Sequence, residues 1–419
     1  MIRAKRFGSF SFFYHAMFAV NFFFFSSFGE LPGLSRLVIA SSVILAGLFL
    51  IRATFQDQSI SVPWLAFLPW GFWLLALASI LWSGYPDTSI GNLIMLTSRM
   101  FSATLILFCL ENRISKKFFS KVVFITLCIF VFSLLREYFV YGHAVRVDGL
   151  GKNSNFAGIT ISVLMILFVL TSNNLFFTNV LLAVSGFAAL TTGSRKVLVA
   201  LAIIGLMALI TTVTDLRKRG FSRTRSISPF ILFAVISIFA WNTVLSETLP
   251  EWTVWKRTQY SLSGNYDSST LTRMSMAEKA VQIFTDAPVI GEGLDTFREL
   301  SGFGTYSHSN YTEIPSGLRL AGLVVFHSLR LVILVKISFT SRIKDAASRI
   351  LLNLTVCYLL VIDFGMVSCT SRPNLLLLFL LIYFIRHAPV PMKQRQEPQQ
   401  YLQVQKEGIV HYEPCVCTF

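Results

Sequence analysis

The sequence predicts an all-α, polytopic membrane protein. Hydrophobic residues make up 54% of the 419 residues, and only 14% are charged. The mean hydropathy is +0.64, which excludes a soluble globular protein because too few polar residues remain to cover its surface. The apolar runs have the length of membrane-spanning helices, roughly 20 residues, and lack the short alternating pattern of a membrane β-barrel. Each run is therefore predicted to cross the bilayer as a helix.

About twelve spans are predicted, and the first is interpreted as an uncleaved span because it is long for a signal peptide. In chain order they are Phe10–Phe28, Leu34–Ile51, Trp64–Trp82, Gly91–Leu110, Phe118–Tyr141, Phe156–Thr171, Leu175–Thr192, Val197–Thr214, Pro229–Ser246, Gly317–Ser338, Ser348–Val367 and Pro373–Ile385. The last run is short, so we expect it to extend back toward Ser371 or to lie in a locally thinned bilayer.

These spans divide the chain into four parts. Residues 1–246 hold spans 1–9, residues 247–316 form a large external loop with short helices, residues 317–387 hold spans 10–12, and residues 388–419 form a tail. Most basic residues fall on the side that carries both termini, which the positive-inside rule assigns to the cytoplasm. The net charge of +15 is thus mainly a topology signal, and no nucleic-acid partner is needed to explain it.

The external segment, residues 247–316, has a different composition. It carries nine acidic against five basic residues, which favours contact with sugar hydroxyls, although a merely solvated surface is an equal alternative. The stretch Thr270–Gly322, which begins inside this segment, is predicted to form in its first half an amphipathic helix that ends before Pro288. The apolar face of that helix is predicted to be Met274, Ala277, Val281 and Phe284, with Ser268, Ser269 or Thr270 as the N-cap. The glycine-rich second half of the same stretch places His308 in a loop before the next span.

Few basic residues are predicted on the outer face, so each asks for an explanation. In TTGSRKVLVAL, Ser194 is placed to cap a helix that begins with Arg195 and Lys196. Two cations at a helix N-terminus oppose the macrodipole, so the arrangement favours a bound anion, with contact to lipid headgroups as the alternative. The turn RVDGLGKNSNFAG presents Arg146, Lys152 and Asn155, which are predicted to approach phosphate unless the turn has no ligand.

Five charged residues fall within predicted spans. Each costs about 2.5–3.5 kcal/mol at the centre of a membrane helix, so all are expected to face the protein interior. A structural pairing, such as Asp363 with an arginine, is as strong an interpretation as catalysis. The five residues are Arg99, Arg136, Glu137, Arg330 and Asp363.

Several of these stretches resemble the O-antigen polymerase and ligase superfamily. RVDGLGKNSNFAG resembles its Arg…Gly…Asn-x-Asn turn, and TTGSRKVLVAL its Gly-Ser-Arg motif. LTRMSMAEKAVQIFTDAPVIGEGLDTF resembles its Arg-helix-Pro-x-x-Gly-x-Gly segment, and SHSNYTEI its His-Ser/Asn-x-Tyr motif. The order of the motifs on twelve spans makes the combination more specific than any one of them. The chain departs from the family pattern at Arg319, where a glycine is expected, whereas Gly322 matches. With Pro315, this change is expected to redirect the start of the tenth span.

The resemblance implies a glycosyltransferase that uses polyprenyl-diphosphate-linked oligosaccharides on the outer face of a bacterial cytoplasmic membrane. The departing lipid diphosphate gains negative charge, which preorganised cations stabilise. We expect Arg195 and Arg273 to act there with Arg146, and His308 to act as a base, with diphosphate binding or a structural hydrogen bond as rival roles. The other candidate substrate-binding residues are Lys152, Asn155, Lys196, Asn310 and Arg319. No metal-ligand spacing or nucleotide fingerprint is present, so neither a metal nor another cofactor is expected.

The resemblance favours a polymerase of repeat units slightly over a ligase that transfers glycan to lipid A core or to protein. A lipid-linked glycan flippase or a solute transporter is the alternative from a different class. The expected partners are the lipid-linked glycans, the bilayer, a chain-length regulator and a flippase.

Overall fold

The computed structural model describes residues 2–27, 34–55, 60–142, 146–151, 153–172, 174–219, 259, 263–266, 268–341, 343 and 345–387. Within them the chain is helical and has no strand, which confirms the predicted fold class. The helices are α1 (Ile2–Ser27), α2 (Leu34–Phe55), α3 (Leu68–Ser79), α4 (Pro86–Asn112), α5 (Lys116–Tyr141), α6 (Ser154–Thr171), α7 (Leu175–Leu190), α8 (Arg195–Arg219), α9 (Ser268–Asp286), α10 (Phe297–Ser301), α11 (Asn310–Phe339), α12 (Ala346–Asp363) and α13 (Arg372–Arg386). Turns of 3₁₀ helix lie at Trp64–Phe67, Ile80–Trp82 and Gly149–Gly151.

Nine helices in this described part are long and apolar enough to cross a membrane. Helix α7, of 16 residues, and α13, of 15, are shorter and coincide with predicted spans. The predicted span at 229–246 and the tail at 388–419 lie outside the described residues, so the count of twelve stays a prediction.

The helix ends gather on two opposite faces of the bundle. On one face, Asn112 at the end of α4 accepts a hydrogen bond from the Ser61 backbone at 2.7 Å, and His387 after α13 lies 2.9 Å from Glu111. On the other face, the Trp82 indole donates to the Gly291 carbonyl at 2.8 Å. The second face, here called the site face, carries the described part of the external segment and the turns before α6 and α8.

Helix α13 occupies the centre of the bundle. Its residues from Arg372 to Ile385 are buried, and it packs against α1, α4, α6, α11 and α12. The helix begins directly after Ser371, so it extends back as the sequence predicted. Because protein surrounds it, the alternative of a thinned bilayer is unnecessary for this helix.

Four of the five intramembrane charges are at least partly enclosed by protein. Arg330 and Asp363 form a buried ion pair at 2.9 Å, which confirms the predicted pairing of Asp363 with an arginine. Half-buried Glu137 accepts backbone hydrogen bonds from the turn before α6. The expectation is wrong for Arg136, whose side chain is exposed near the end of α5, within reach of the membrane surface for a long side chain.

The external helix α9 buries a different face from the one predicted. Met276, Ala280 and Ile283 pack toward α10 and α11, whereas Val281 is 59% exposed. Both faces carry apolar residues at helical spacing, and periodicity alone does not choose between them. The helix begins at Ser268, so the predicted cap residues lie in its first turn rather than before it.

Backbone contacts dock the external segment onto α11. The Gly293 amide donates to the Gly317 carbonyl at 3.0 Å, and the Leu320 amide donates to the Pro288 carbonyl at 3.0 Å. A Cβ atom on Gly317 would lie 2.5 Å from the Gly293 carbonyl oxygen, and one on Gly291 would overlap the Gly317 carbonyl. The Pro-x-x-Gly-x-Gly stretch therefore needs its glycines for close backbone approach.

Helix α11 is broken at Arg319, the position where the family pattern has glycine. Its φ of 55° and ψ of −149° lie close to a region that glycine alone adopts readily. The buried guanidinium donates to the Ile283 carbonyl near the end of α9, where a cation complements the helix dipole. Arg319 thus joins the break in α11 to the external helix.

We predict that Arg319→Gly is more stable than Arg319→Ala. Both variants lose the contact with Ile283, but alanine keeps the strained backbone, which costs about 1–3 kcal/mol, and glycine relieves it. Apparent melting temperatures in the same detergent measure the difference. An alanine variant that melts at or above the glycine variant contradicts this account of the break.

Candidate active site

Two turns of the site face pack against each other around Arg146. Its Nε donates to the Thr192 carbonyl at 3.3 Å, and its Nη2 donates to the Asn155 side-chain oxygen at 3.2 Å. A Cβ atom on Gly193, which has a φ of 63°, would lie 2.9 Å from Arg146 Cγ. Glycine at position 193 therefore leaves room for the arginine between the turns.

The two asparagines of the Asn-x-Asn stretch, Asn153 and Asn155, have different contacts. Asn153 caps α6, because its side-chain oxygen accepts from the Asn155 and Phe156 amides at 2.9 and 3.3 Å. Asn155 holds Arg146 in place. A direct substrate contact by Asn155 stays a prediction, and Lys152 lies outside the described residues.

Arg195 begins α8 and reaches across to α9. Its Nη2 donates to the Thr270 hydroxyl at 2.9 Å, which brings the first turn of α9 next to the start of α8. Arg273 follows Thr270 by about one helical turn and is half-buried. Sequence reasoning considered Thr270 only as a helix cap and missed this contact.

The predicted cap by the Ser194 hydroxyl is not formed. Ser194 directly precedes α8, but its buried Oγ has no hydrogen-bond partner among the described residues. The first turn of α8 is therefore not capped by this side chain, and a polar group beside Arg195 is left unpaired. An anion at this helix N-terminus would lie near the uncapped first turn and near the Ser194 hydroxyl.

Lys196 is the second residue of α8, and its side chain packs against the loop after α12. A Cβ atom on Gly365 would lie 2.7 Å from Lys196 Cε, so the lysine stem crosses this glycine. Its ammonium group is close enough to Arg146 and Arg273 to be repelled by both. Arg146, Arg195, Lys196 and Arg273 are here called the cation cluster.

His308 lies beside the cation cluster in the loop before α11. Burial, Arg273 and Lys196 together lower its pKa from 6.5 to about 4. The imidazole is thus neutral at neutral pH and is able to accept a proton. A bound anion would offset the two cations and raise this pKa, which brings the histidine closer to the range of an efficient general base.

The backbone around His308 is fixed by residues on both sides. His308 has a φ of 65°, a conformation uncommon outside glycine. Before it, the Ser307 amide donates to the buried Glu313 carboxyl at 2.7 Å. After it, Ser309 caps α11 and donates to the Asp363 carbonyl at 3.1 Å. The imidazole also lies against the Tyr306 ring, with 4.4 Å between ring centroids.

Asn310 is brought near His308 by sequence but makes its contacts inside the protein. It is fully buried, and its Nδ2 donates to Asp363 and Ser368 at 2.8 and 2.7 Å. Its Oδ1 accepts from the Cys369 amide at 3.3 Å. Its predicted substrate contact is not tested, and these hydrogen bonds favour a role in positioning the loop.

Arg319 is not brought into the cation cluster. Its charge interacts with Glu292 and with Asp286, the last residue of α9. By contrast, Asp148 lies near Arg146. Sequence reasoning did not name it as a site residue, although it belongs to the same turn motif. Burial and Glu137 raise the pKa of Asp148, and Arg146 opposes the shift.

The site face is distinct from the cavity on the opposite face of the bundle. That cavity has a volume of about 310 Å³ and is lined by Lys116, Asp215, Asp345 and His387, among others. It lies at the ends of the helices remote from His308, so it contributes nothing to the cation cluster.

The fold and the site define a polytopic helical membrane protein with a cationic, histidine-containing face. Residues 180–337 match the family described as O-antigen ligase. This match confirms the resemblance seen in the motifs and supports the O-antigen polymerase and ligase superfamily, whose members are glycosyltransferase-like membrane enzymes. The matched region includes Arg195, Arg273 and His308 but not Arg146 or Asn155. No curated protein matches the chain significantly.

We predict that Arg273→Gln raises the pKa of His308 toward 6.5, because it removes one of two cations that disfavour the imidazolium form. Diethyl pyrocarbonate modifies neutral imidazole, so labelling of the His308 peptide at different pH values reports this pKa. The midpoint should move to higher pH by a measurable fraction of a unit.

The matched control is Lys279→Gln, which removes a cation from the same helix two turns further along. It should leave the labelling midpoint near that of the unmodified protein. Equal midpoints in the Arg273→Gln and Lys279→Gln variants would show that Arg273 does not act on His308.

Proposed function

We propose that the protein is a metal-independent membrane glycosyltransferase that joins polyprenyl-diphosphate-linked repeat units on the outer face of the bacterial cytoplasmic membrane. The carrying observation is the cation cluster beside a neutral histidine. Both lie on the site face, together with the described part of the external segment. Both termini are proposed to be cytoplasmic, with a chain-length regulator and a flippase as functional partners.

The proposed reaction is a displacement at the anomeric carbon of the lipid-linked donor. A hydroxyl oxygen of the acceptor forms the new glycosidic bond, and the bond to the diphosphate oxygen breaks. The leaving lipid diphosphate takes the electron pair, and His308 takes the hydroxyl proton. Cations fixed before the reaction stabilise the charge that develops on the leaving group.

The electrostatics of the cation cluster support an anionic ligand. Arg146 and Arg273 each repel Lys196, and α8 adds the positive end of its dipole. A diphosphate would offset these like charges and supply a partner for the Ser194 hydroxyl. The alternative is that these cations contact lipid headgroups. That would account for their solvent-exposed atoms, but not for the convergence of three cations that are distant in the sequence.

A ligase is the second candidate, because the matched family is described as O-antigen ligase and the match does not distinguish the two activities. It would use the same donor and the same chemistry but a different acceptor. Deleting the gene separates the two: single repeat units on the capped core indicate a polymerase, whereas chains that accumulate on the carrier lipid indicate a ligase. A flippase or transporter would be expected to line its path with charges at mid-membrane depth, whereas Arg330 and Asp363 are buried against each other in the bundle, so this class is less favoured.

Arg195→Ala is predicted to lower the turnover rate by about 10²–10³-fold, the usual cost of losing one donor to a developing anion. Arg195→Lys should recover only part of the rate, because lysine lacks the two-pronged guanidinium. The assay is elongation of a lipid-linked oligosaccharide by the purified protein.

Arg36→Ala serves as the control, since Arg36 is an exposed cation at the start of α2. It should elongate the oligosaccharide normally. Full activity of Arg195→Ala would reduce Arg195 to a headgroup anchor and remove the main support for the proposed function.

His308→Ala and His308→Asn are both predicted to lose about 10²–10⁴-fold in rate, the contribution of a positioned general base. Asparagine tolerates a positive φ better than alanine, so the second variant keeps the loop conformation. Binding of the labelled donor, measured separately, should survive in both.

Two outcomes would revise the role of His308. Loss of donor binding in His308→Asn would assign the imidazole to the diphosphate site. Near-normal glycan output would remove it from the mechanism.

A further inference from the structure

A second cationic cavity lies on the site face beside the cation cluster. It has a volume of about 280 Å³ and is bordered by α4, α10, and the loop before α13. Three arginines line it, Arg99, Arg298 and Arg372, together with Asp295 and Tyr306. None of these residues is assigned to the donor site above.

The charge of this cavity is positive and largely shielded from solvent. Arg99 and Arg372 are 5% and 7% exposed, and Arg298 pairs with Asp295. The lining thus includes three guanidinium groups and one carboxylate. The Arg99 Nη1 also donates to the Thr370 carbonyl, which fixes that guanidinium at the wall. Guanidinium groups at a wall shielded from water present planar donors that match the oxygens of a phosphate.

The start of α13 adds to this field. Arg372 is its first residue, so a cation again occupies the end of a helix that already favours anions, as Arg195 does in α8. The Ser371 Oγ and the Arg298 Nε are buried and have no hydrogen-bond partner among the described residues. Both belong to residues that line the cavity, where they are available to an oxyanion.

Tyr306 connects the cavity to the proposed base. It lines the cavity, and its ring packs against the His308 imidazole at 4.4 Å between centroids. Phe156, which follows Asn155, lines the same cavity. If the arginines bind one group of a molecule, another group of the same molecule would thus lie next to His308.

We propose that this cavity binds a phosphate group of the acceptor, while the cation cluster binds the diphosphate of the donor. The inference rests on the proposed function and adds the second substrate to it. The phosphate has two sources: the carrier diphosphate of a second lipid-linked glycan, or a phosphate on a lipid A core. Arg99, Arg298 and Arg372 hold it in either case.

The test is steady-state kinetics of the full chain in lipid nanodiscs, with Arg298→Gln and Arg99→Gln. Loss of one charge-assisted hydrogen bond corresponds to about a tenfold effect or more. The KM for the acceptor should therefore rise at least about tenfold at saturating donor. The KM for the donor should stay within about twofold. Arg36→Gln, an exposed arginine on α2, is the matched control and should change neither value.

Two further arms keep the result decisive. Arg298→Lys keeps the charge and should recover part of the acceptor affinity, and Arg298 is the most exposed of the three arginines, so its substitution threatens folding least. Acceptors that carry or lack the carrier diphosphate, or the core phosphate, identify the source. The phosphate that binds in the cavity should be the one whose removal abolishes the difference in acceptor KM between the unmodified protein and Arg298→Gln.

An unchanged acceptor KM in folded Arg298→Gln and Arg99→Gln overturns the inference, as does an equal rise in the KM for the donor. Neither outcome affects the proposed function, which fails separately if Arg195→Ala remains fully active.

Discussion

The buried ion pair between Arg330 and Asp363 is the interaction on which the site face depends. It joins α11 to α12, and the same carboxylate accepts hydrogen bonds from Asn310 and Ser368. Ser309 donates to the Asp363 carbonyl, so the loop that carries His308 is anchored to this pair. Loss of one partner would leave a buried charge uncompensated, which typically costs about 3–5 kcal/mol. The position of the imidazole is therefore set by charges below the membrane surface.

The rest of the site is assembled by backbone contacts between distant segments. Gly291 and Gly293 meet Gly317 so closely that a side chain on any of them would meet main-chain atoms of the facing segment or a nearby serine. The Trp82 indole and the Arg319 guanidinium donate to the external segment from two other directions. These contacts fix α9 relative to the bundle, and Arg273 with it. These contacts therefore hold a cation of α9 against the bundle.

The sequence predicted the features that depend on local chemistry. Apolar run length gave the helices, and misplaced cations at Arg146, Arg195 and Lys196 pointed to residues that the structure brings together. It did not predict features that depend on packing between helices. The buried face of α9 is chosen by α10 and α11, and the Ser194 hydroxyl lacks the cap that its position suggested. The cavity at Arg372 also escaped prediction, because its walls come from segments far apart in the chain.

The enclosure of α13 has a consequence for biogenesis. The ribosome makes α1, α4 and α6 well before this helix, yet all three pack against it in the finished protein. They must enter the membrane with a vacant groove between them, temporarily filled by lipid or by a chaperone surface. Arg372 completes the arginine cavity, so a nascent chain that has not yet reached α13 lacks the proposed acceptor pocket. Formation of the proposed pocket is thus coupled to synthesis of α13, which would keep a shorter nascent chain from binding its acceptor.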